Sequence, residues 1–124
     1  MHNGDLLTVK QYINYAIGRQ IYRIRKSRGL TGNELAKKMN ISQQQISRYE
    51  RGTCRIDLNV LICILHALKI TLGDFFVGVS LILKEVSPET YVEYNALFYP
   101  VINSLLFNDV IQKINNIFYK NRFI

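Results

Sequence analysis

The sequence has no tryptophan, two cysteines, two prolines and two histidines, and its acidic residues number nine against sixteen basic ones. Each scarcity closes a class of function. Cys54 and Cys63 stand nine residues apart, with no second cysteine pair and no Cys/His spacing suited to zinc. They read as reduced thiols, Cys63 in a core helix and Cys54 in a turn, and no metal is expected. His2 stands in the N-terminal stretch and His66 lies inside an apolar series, where a histidine is a packed or half-exposed side chain more often than a base. There is no glycine-rich phosphate loop, no nucleophile with a positioned base and no paired acidic site. The chain is therefore not expected to be an enzyme or to carry a cofactor. Its longest apolar-rich stretches, 60–68 and 75–83, fall far short of the ~20 residues of a membrane span. No basic region, apolar run and small-residue cleavage site follow one another at the N-terminus. A soluble cytoplasmic protein with no membrane partner is the expectation.

What is present is a chain of 124 residues, 48% apolar and 20% charged, enough for one domain with a real core. The net charge of +7 is concentrated. Residues 10–55 hold eleven Lys/Arg (Lys10, Arg19, Arg23, Arg25, Lys26, Arg28, Lys37, Lys38, Arg48, Arg51 and Arg55) against Glu34 and Glu50 alone. The remainder is slightly acidic. Such asymmetry points to a polyanionic partner for the N-terminal half.

Helical periodicity dominates. Leu6, Val9, Ile13, Ile17, Ile21 and Ile24 make one apolar stripe, with Asp5 or Thr8 as a starting cap and Gly29 as a left-handed stop. Lys10, Arg19, Arg23 and Lys26 mark the opposite face. Thr31-Gly-Asn-Glu34 is a capping box, and Ser42-Gln-Gln-Gln45 repeats the device eleven residues later. Between them fits a helix of about two turns. Asn40 stands where the chain must turn, and Asn tolerates the left-handed region well. Leu35, Met39, Ile41 and Ile46 can join the two helices, with Ala36 small enough for a close approach. A helix-turn-helix follows from the spacing.

Asp57 caps a fourth helix carrying Leu58, Leu61, Ile62, Leu65 and Leu68, and Thr71 caps a fifth, short one with Leu72, Phe75 and Phe76. Val77, Val79, Leu81 and Leu83 then alternate with other residues, giving either a short strand or an extended linker. Ser87-Pro88-Glu89 opens another helix, which Pro100 ends or kinks. A last helix is expected with Leu106, Phe107, Val110, Ile111, Ile114, Ile117 and Phe118 on one broad face.

The stretch Leu30-Thr-Gly-Asn-Glu-Leu-Ala-Lys-Lys-Met-Asn-Ile-Ser-Gln-Gln-Gln-Ile-Ser-Arg-Tyr-Glu-Arg-Gly52 closely resembles the Xre/Cro/phage-repressor helix-turn-helix family. The likeness runs from about Ile17 to Phe76, roughly half the chain. Its wording is most similar to that of small regulators encoded with enterobacterial fimbrial operons. The fold expected is all-α: a five-helix phage-repressor-like DNA-binding domain over residues 1–78, with a C-terminal helical extension over 79–124.

The resemblance implies that the helix 43–51 enters a major groove of double-stranded DNA. Gln43, Gln44, Ser47 and Arg48 are then the base contacts: Gln suits an adenine edge and Arg suits guanine O6 and N7. Ile46 and Tyr49 point toward the core, and Gln45 belongs to the capping box. Phosphate contacts fall to Asn33, Lys37, Arg51, Thr53 and Arg55. Arg25 and Glu50 match a pair that joins the first helix to the end of the third. Two departures stand out: Gly32 replaces a Gln that often reaches a phosphate, and Asn40 replaces a turn Gly.

The function implied is that of a sequence-specific transcriptional regulator, a repressor, in the bacterial cytoplasm and bound to the nucleoid. A homodimer on a palindromic operator is expected, with residues 84–124 serving either dimerisation or extension of the core. The alternative is a protein-interaction module, antitoxin-like or coactivator-like, working through the C-terminal helices.

Overall fold

The computed structural model describes the backbone of residues 3–122 and the side chains of residues 8–97 and 109–117. The described residues form six helices and no strand: α1 (Asn3–Ser27), α2 (Gly32–Met39), α3 (Gln43–Arg51), α4 (Leu58–Leu68), α5 (Leu72–Val86) and α6 (Pro88–Arg122). His2 and the side chains of Leu6, Leu106, Phe107 and Phe118 lie outside the described residues. The protein is all-α.

The short helices begin where their caps dictate. Thr31, Ser42, Asp57 and Thr71 are each extended, and each accepts a hydrogen bond from the backbone N–H three residues on, supplying a first-turn donor with an acceptor. Gly29 turns the chain after α1 with φ +70°, and Asn40 does so after α2 with φ 56°. The first cap of the chain differs from expectation. α1 already spans Asn3–Ser27, so Asp5 and Thr8 lie within it rather than at its start.

One core gathers Ile21 and Ile24 of α1, Leu35 of α2, Ile46 of α3, Ile64, Leu65 and Leu68 of α4, and Phe75, Val79, Ile82 and Leu83 of α5. The apolar face of α4 is rotated from the one expected. Leu58 and Ile62 are 65% and 51% exposed, and Ile64 takes the buried place beside Leu61, Leu65 and Leu68. The rotation leaves Cys63 exposed rather than in the core, while Cys54 is partly buried.

The strand or linker expected at 77–83 is absent, and the boundary drawn between 78 and 79 falls inside α5. Alternation at 77, 79, 81 and 83 competes with a helical row at Phe75, Val79, Ile82 and Leu83, and the row wins because it buries four side chains on one face. Gly78 faces α1, where the tip of the Gln20 side chain fills the space a Cβ would take. Ser80 is buried, and its hydroxyl donates to the Val77 carbonyl.

Ser87 is the single residue between α5 and α6. Its N–H donates to Leu83 O at 2.9 Å, ending α5, and its Oγ accepts from the Thr90 N–H at 3.3 Å, opening α6. With Pro88 in the first helical position, α6 folds back along α5. It does not stop at Pro100 but runs on to Arg122 as one helix of 35 residues. A proline forfeits one backbone hydrogen bond, a loss that a long helix absorbs. At about 1.5 Å per residue α6 outreaches the 15-residue α5, and every described side chain from 109 to 117 is exposed.

Candidate nucleic-acid interface

α3 has two unlike edges. Ile46 and Tyr49 are 1% and 9% exposed and face the core, as their spacing requires. Gln43, Gln44 and Arg48 are exposed on the other side, and Ser47 is half-buried. The Arg48 guanidinium donates to Gln45 Oε1 at 3.5 Å, and the Gln45 amide donates to Cys54 Sγ at 3.3 Å. Gln45 thus turns sideways toward Cys54. The Ser42 hydroxyl takes the Gln45 N–H, but no side-chain bond returns to Ser42, so the second capping box is only half made. The first is complete: Thr31 Oγ1 accepts from the Glu34 N–H and Glu34 Oε1 accepts from the Thr31 N–H, both at 3.1 Å. Hydrogen bonds to the carboxylate from the Thr31 N–H and then the Thr31 side chain, helped by Lys38 and Lys37, hold the Glu34 carboxyl below its ordinary pKa.

What fixes α3 to the body is a buried ion pair. Arg25 Nε donates to Glu50 Oε2 at 2.6 Å and Nη2 donates to Oε1 at 2.9 Å, while Nη1 donates to the Leu30 carbonyl at 2.8 Å. The two side chains are 10% and 9% exposed. The hydrogen bond to Glu50 pushes the Arg25 pKa up against the opposing effect of burial, so the guanidinium stays charged. Two glycines bring the backbones together. A Cβ on Gly18 would sit 2.8 Å from the Glu50 carbonyl oxygen, and one on Gly52 would sit 2.8 Å from the Tyr15 Cα. Gly52 also ends α3 with φ +71°.

Asn33, Lys37, Thr53 and Arg55 are exposed around this rod. Arg51 is exposed too, its Nε donating to Ser47 O at 3.2 Å, and the Thr53 hydroxyl donates to Arg48 O at 3.2 Å. Between α1 and α3 opens a cleft of about 450 Å³ lined by Arg19, Tyr22, Gly32, Gln43, Ser47 and Arg51, among others. Arg19 and Tyr22 were not among the expected contacts. The signal was their three-residue spacing, which puts both on one face of α1. A separate apolar hollow of about 800 Å³ separates α2 from α4, with Met39, Ile41, Ile62 and His66 in its wall. No group of three or more metal-ligating side chains occurs among the described residues, and none of their helices alone is long and apolar enough to cross a membrane.

Residues 21–75, which contain the end of α1, the α2–turn–α3 unit, α4 and the start of α5, match the model of the helix-turn-helix family. They form a helix-turn-helix domain. The chain is 35% identical over 70 residues to an uncharacterised HTH-type transcriptional regulator of Rickettsia conorii, covering 56% of each protein. A counterpart in Rickettsia prowazekii is also 35% identical over 70 residues, or 54% of its length. The chain thus spans about half the length of these curated relatives. Among solved structures, the helix-turn-helix domain resembles the clp gene regulator ClgR of Corynebacterium glutamicum, with TM-score 0.56, 25% identity and coverage of 57% of this chain and 91% of that one. It also resembles the restriction-modification controller protein C.Esp1396I, solved as a tetramer with its natural 35 base-pair operator. That match has TM-score 0.54 and 25% identity, and covers 57% of this chain and 93% of that one.

Proposed function

We propose that this chain is a sequence-specific transcriptional regulator, acting as a repressor, that binds double-stranded DNA by inserting α3 into the major groove. The observation that carries the reading is the division of α3 into a buried apolar edge and an exposed edge bearing Gln43, Gln44 and Arg48, held rigidly by the Arg25–Glu50 pair. A base-reading helix needs both properties, because a side chain on a mobile rod cannot distinguish base edges. Gln43, Gln44, Ser47 and Arg48 supply base contacts in this reading. Asn33, Lys37, Arg51, Thr53 and Arg55 supply phosphate contacts. The operator complex of C.Esp1396I supports duplex DNA as the ligand.

A homodimer reading a palindromic operator completes the proposal. Val110, Ile111, Ile114 and Ile117 are exposed on α6 at helical spacing, and pairing of two copies would cover them. Two α3 helices about 34 Å apart would then meet half-sites one turn apart. The decisive experiment is selection of bound sites from random duplexes with the full chain: a recovered motif with two-fold symmetry is expected, and an unselective pool refutes the reading. The same exposed row on α6 favours a second reading, a protein-interaction module working through the C-terminal helices. Salt separates the two. DNA affinity falls with a log–log slope of about −0.9 per phosphate neutralised, whereas an apolar interface barely responds.

A further inference from the structure

The cleft between α1 and α3 holds an arginine that neither the core nor the base-reading edge uses. We propose that Arg19, stacked on Tyr22, is a phosphate-binding residue for the DNA backbone, reaching the phosphate over the start of α2 in place of the side chain that Gly32 lacks. The inference rests on the DNA-binding reading above and adds to it a contact from α1.

Three observations converge. The Arg19 guanidinium lies over the Tyr22 ring, 4.8 Å from its centre, and forms no ion pair with any carboxylate among the described residues. An arginine stacked in this way keeps its in-plane N–H groups free to donate to a phosphate. Next, the one carboxylate lining the cleft is Glu50, and Arg25 occupies both of its oxygens. The charges of Arg19 and Arg51 are therefore left uncompensated there, and an anion is the complementary guest. Last, the cleft has room at the right end. A Cβ on Gly32 would meet nothing but the Gln43 side chain, at 3.8 Å. Gly32 opens α2, where the Glu34 N–H is taken by Thr31 Oγ1 but the N–H groups of Gly32 and Asn33 have no helical acceptor and favour a negative group. Arg23, one residue beyond Tyr22, serves as the contrast: it is exposed and lies 3.8 Å from Glu85 of α5, away from the cleft.

The test is the salt dependence of binding to a random-sequence DNA duplex, measured for the full chain and its variants. Arg19→Gln, which keeps a hydrogen-bonding side chain but no charge, is expected to flatten the log–log slope by about 0.9 and to weaken binding equally on a selected site. Arg19→Lys should restore the slope, since it counts neutralised phosphates. Arg23→Ala should leave it as in the wild type. Melting temperatures of all three identify any variant whose fold is damaged. An Arg19→Gln slope equal to that of the wild type, or an Arg23→Ala slope flattened as much as that of Arg19→Gln, overturns the assignment while leaving the DNA-binding reading intact. A wild-type chain that fails to bind duplex DNA at low salt overturns both.

Discussion

Arg25 and Glu50 meet in a two-pronged ion pair, 2.6 and 2.9 Å long, that ties the end of α1 to the last turn of α3 across 25 residues of sequence. The third arm of the guanidinium, on Leu30 O, extends the tie to the turn before α2. Removing one partner leaves a buried charge unmatched, so Arg25→Ala is expected to destabilise the fold by about 3–5 kcal/mol. Replacing the pair together, as Arg25→Met with Glu50→Leu, is expected to recover most of that loss. Chemical denaturation of the single and double variants checks both statements, and a single variant unfolding at the wild-type midpoint refutes the first.

Backbone contact is the other half of the same attachment. At Gly18 and at Gly52, the residue that caps α3, the backbones of α1 and the α3 segment come together with no side chain between them. Gly18→Ala would press a methyl group against the carbonyls of Tyr49 and Glu50, and backbone atoms cannot give way as the tip of a side chain can. A cost of about 1–3 kcal/mol is expected, together with weaker DNA binding from a displaced α3. Thermal unfolding and a binding titration read the two effects. An alanine variant with wild-type values in both measurements would mean that the helices separate without penalty.

Much of this attachment was legible in the sequence, for an identifiable reason. Caps act over three residues, so Thr31, Ser42, Asp57 and Thr71 announce their helices from local chemistry alone. The outward and inward edges of α3 follow from its period in the same way. What the sequence hid depends on packing between distant segments. The helical row of α5 won over strand-like alternation only because α1 and α6 lie against it. The rotation of α4 that exposes Ile62 and buries Ile64 is likewise set by its neighbours. Lys69 adopts φ 58° after α4, a turn that no glycine or asparagine advertised, and Arg28 donates to the carbonyls of Leu68 and Lys69 there. The three-residue spacing of Arg19 and Tyr22 puts them on one face of α1, but only the packing shows that this face meets α3.

Base and phosphate contacts make opposite predictions. Gln44→Ala and Arg48→Ala are expected to alter preference at one base pair each, by about 1–3 kcal/mol. Lys37→Ala should instead weaken binding to all sequences alike. Competition against single-base variants of a selected site gives the answer. Uniform losses for all three substitutions would exclude direct reading by α3.

The capping box of α2 predicts an acid response. Hydrogen bonds from the Thr31 N–H and hydroxyl, then Lys38 and Lys37, lower the Glu34 pKa from its ordinary 4.5. A carboxylate whose folded pKa is depressed lends stability above its unfolded pKa and loses it as pH falls through the folded one. The start of α2 should therefore hold at neutral pH and fray only below the usual carboxylate range. A carbon-detected titration of Glu34 is expected to show a midpoint under 4.5. Glu34→Gln keeps a capping side chain while removing the charge, so it should flatten this part of the acid dependence. A Glu34 midpoint at or above the ordinary value would show that the box is open in solution.

The exposed row on α6 makes the last prediction. In a single chain Ile111 and Ile114 are exposed, so changing them to a charged residue is expected to cost the monomer little. In a dimer closed on this row, each substitution would bury a charge without a partner. Ile111→Lys with Ile114→Lys is therefore expected to leave thermal unfolding at low protein concentration unchanged while shifting the sedimentation mass from two copies to one. DNA binding should weaken at the same time, because a monomer presents only one α3 to one half-site. A variant still sedimenting as two copies would move the interface off α6. A wild type sedimenting as one copy would remove the dimer from the proposal.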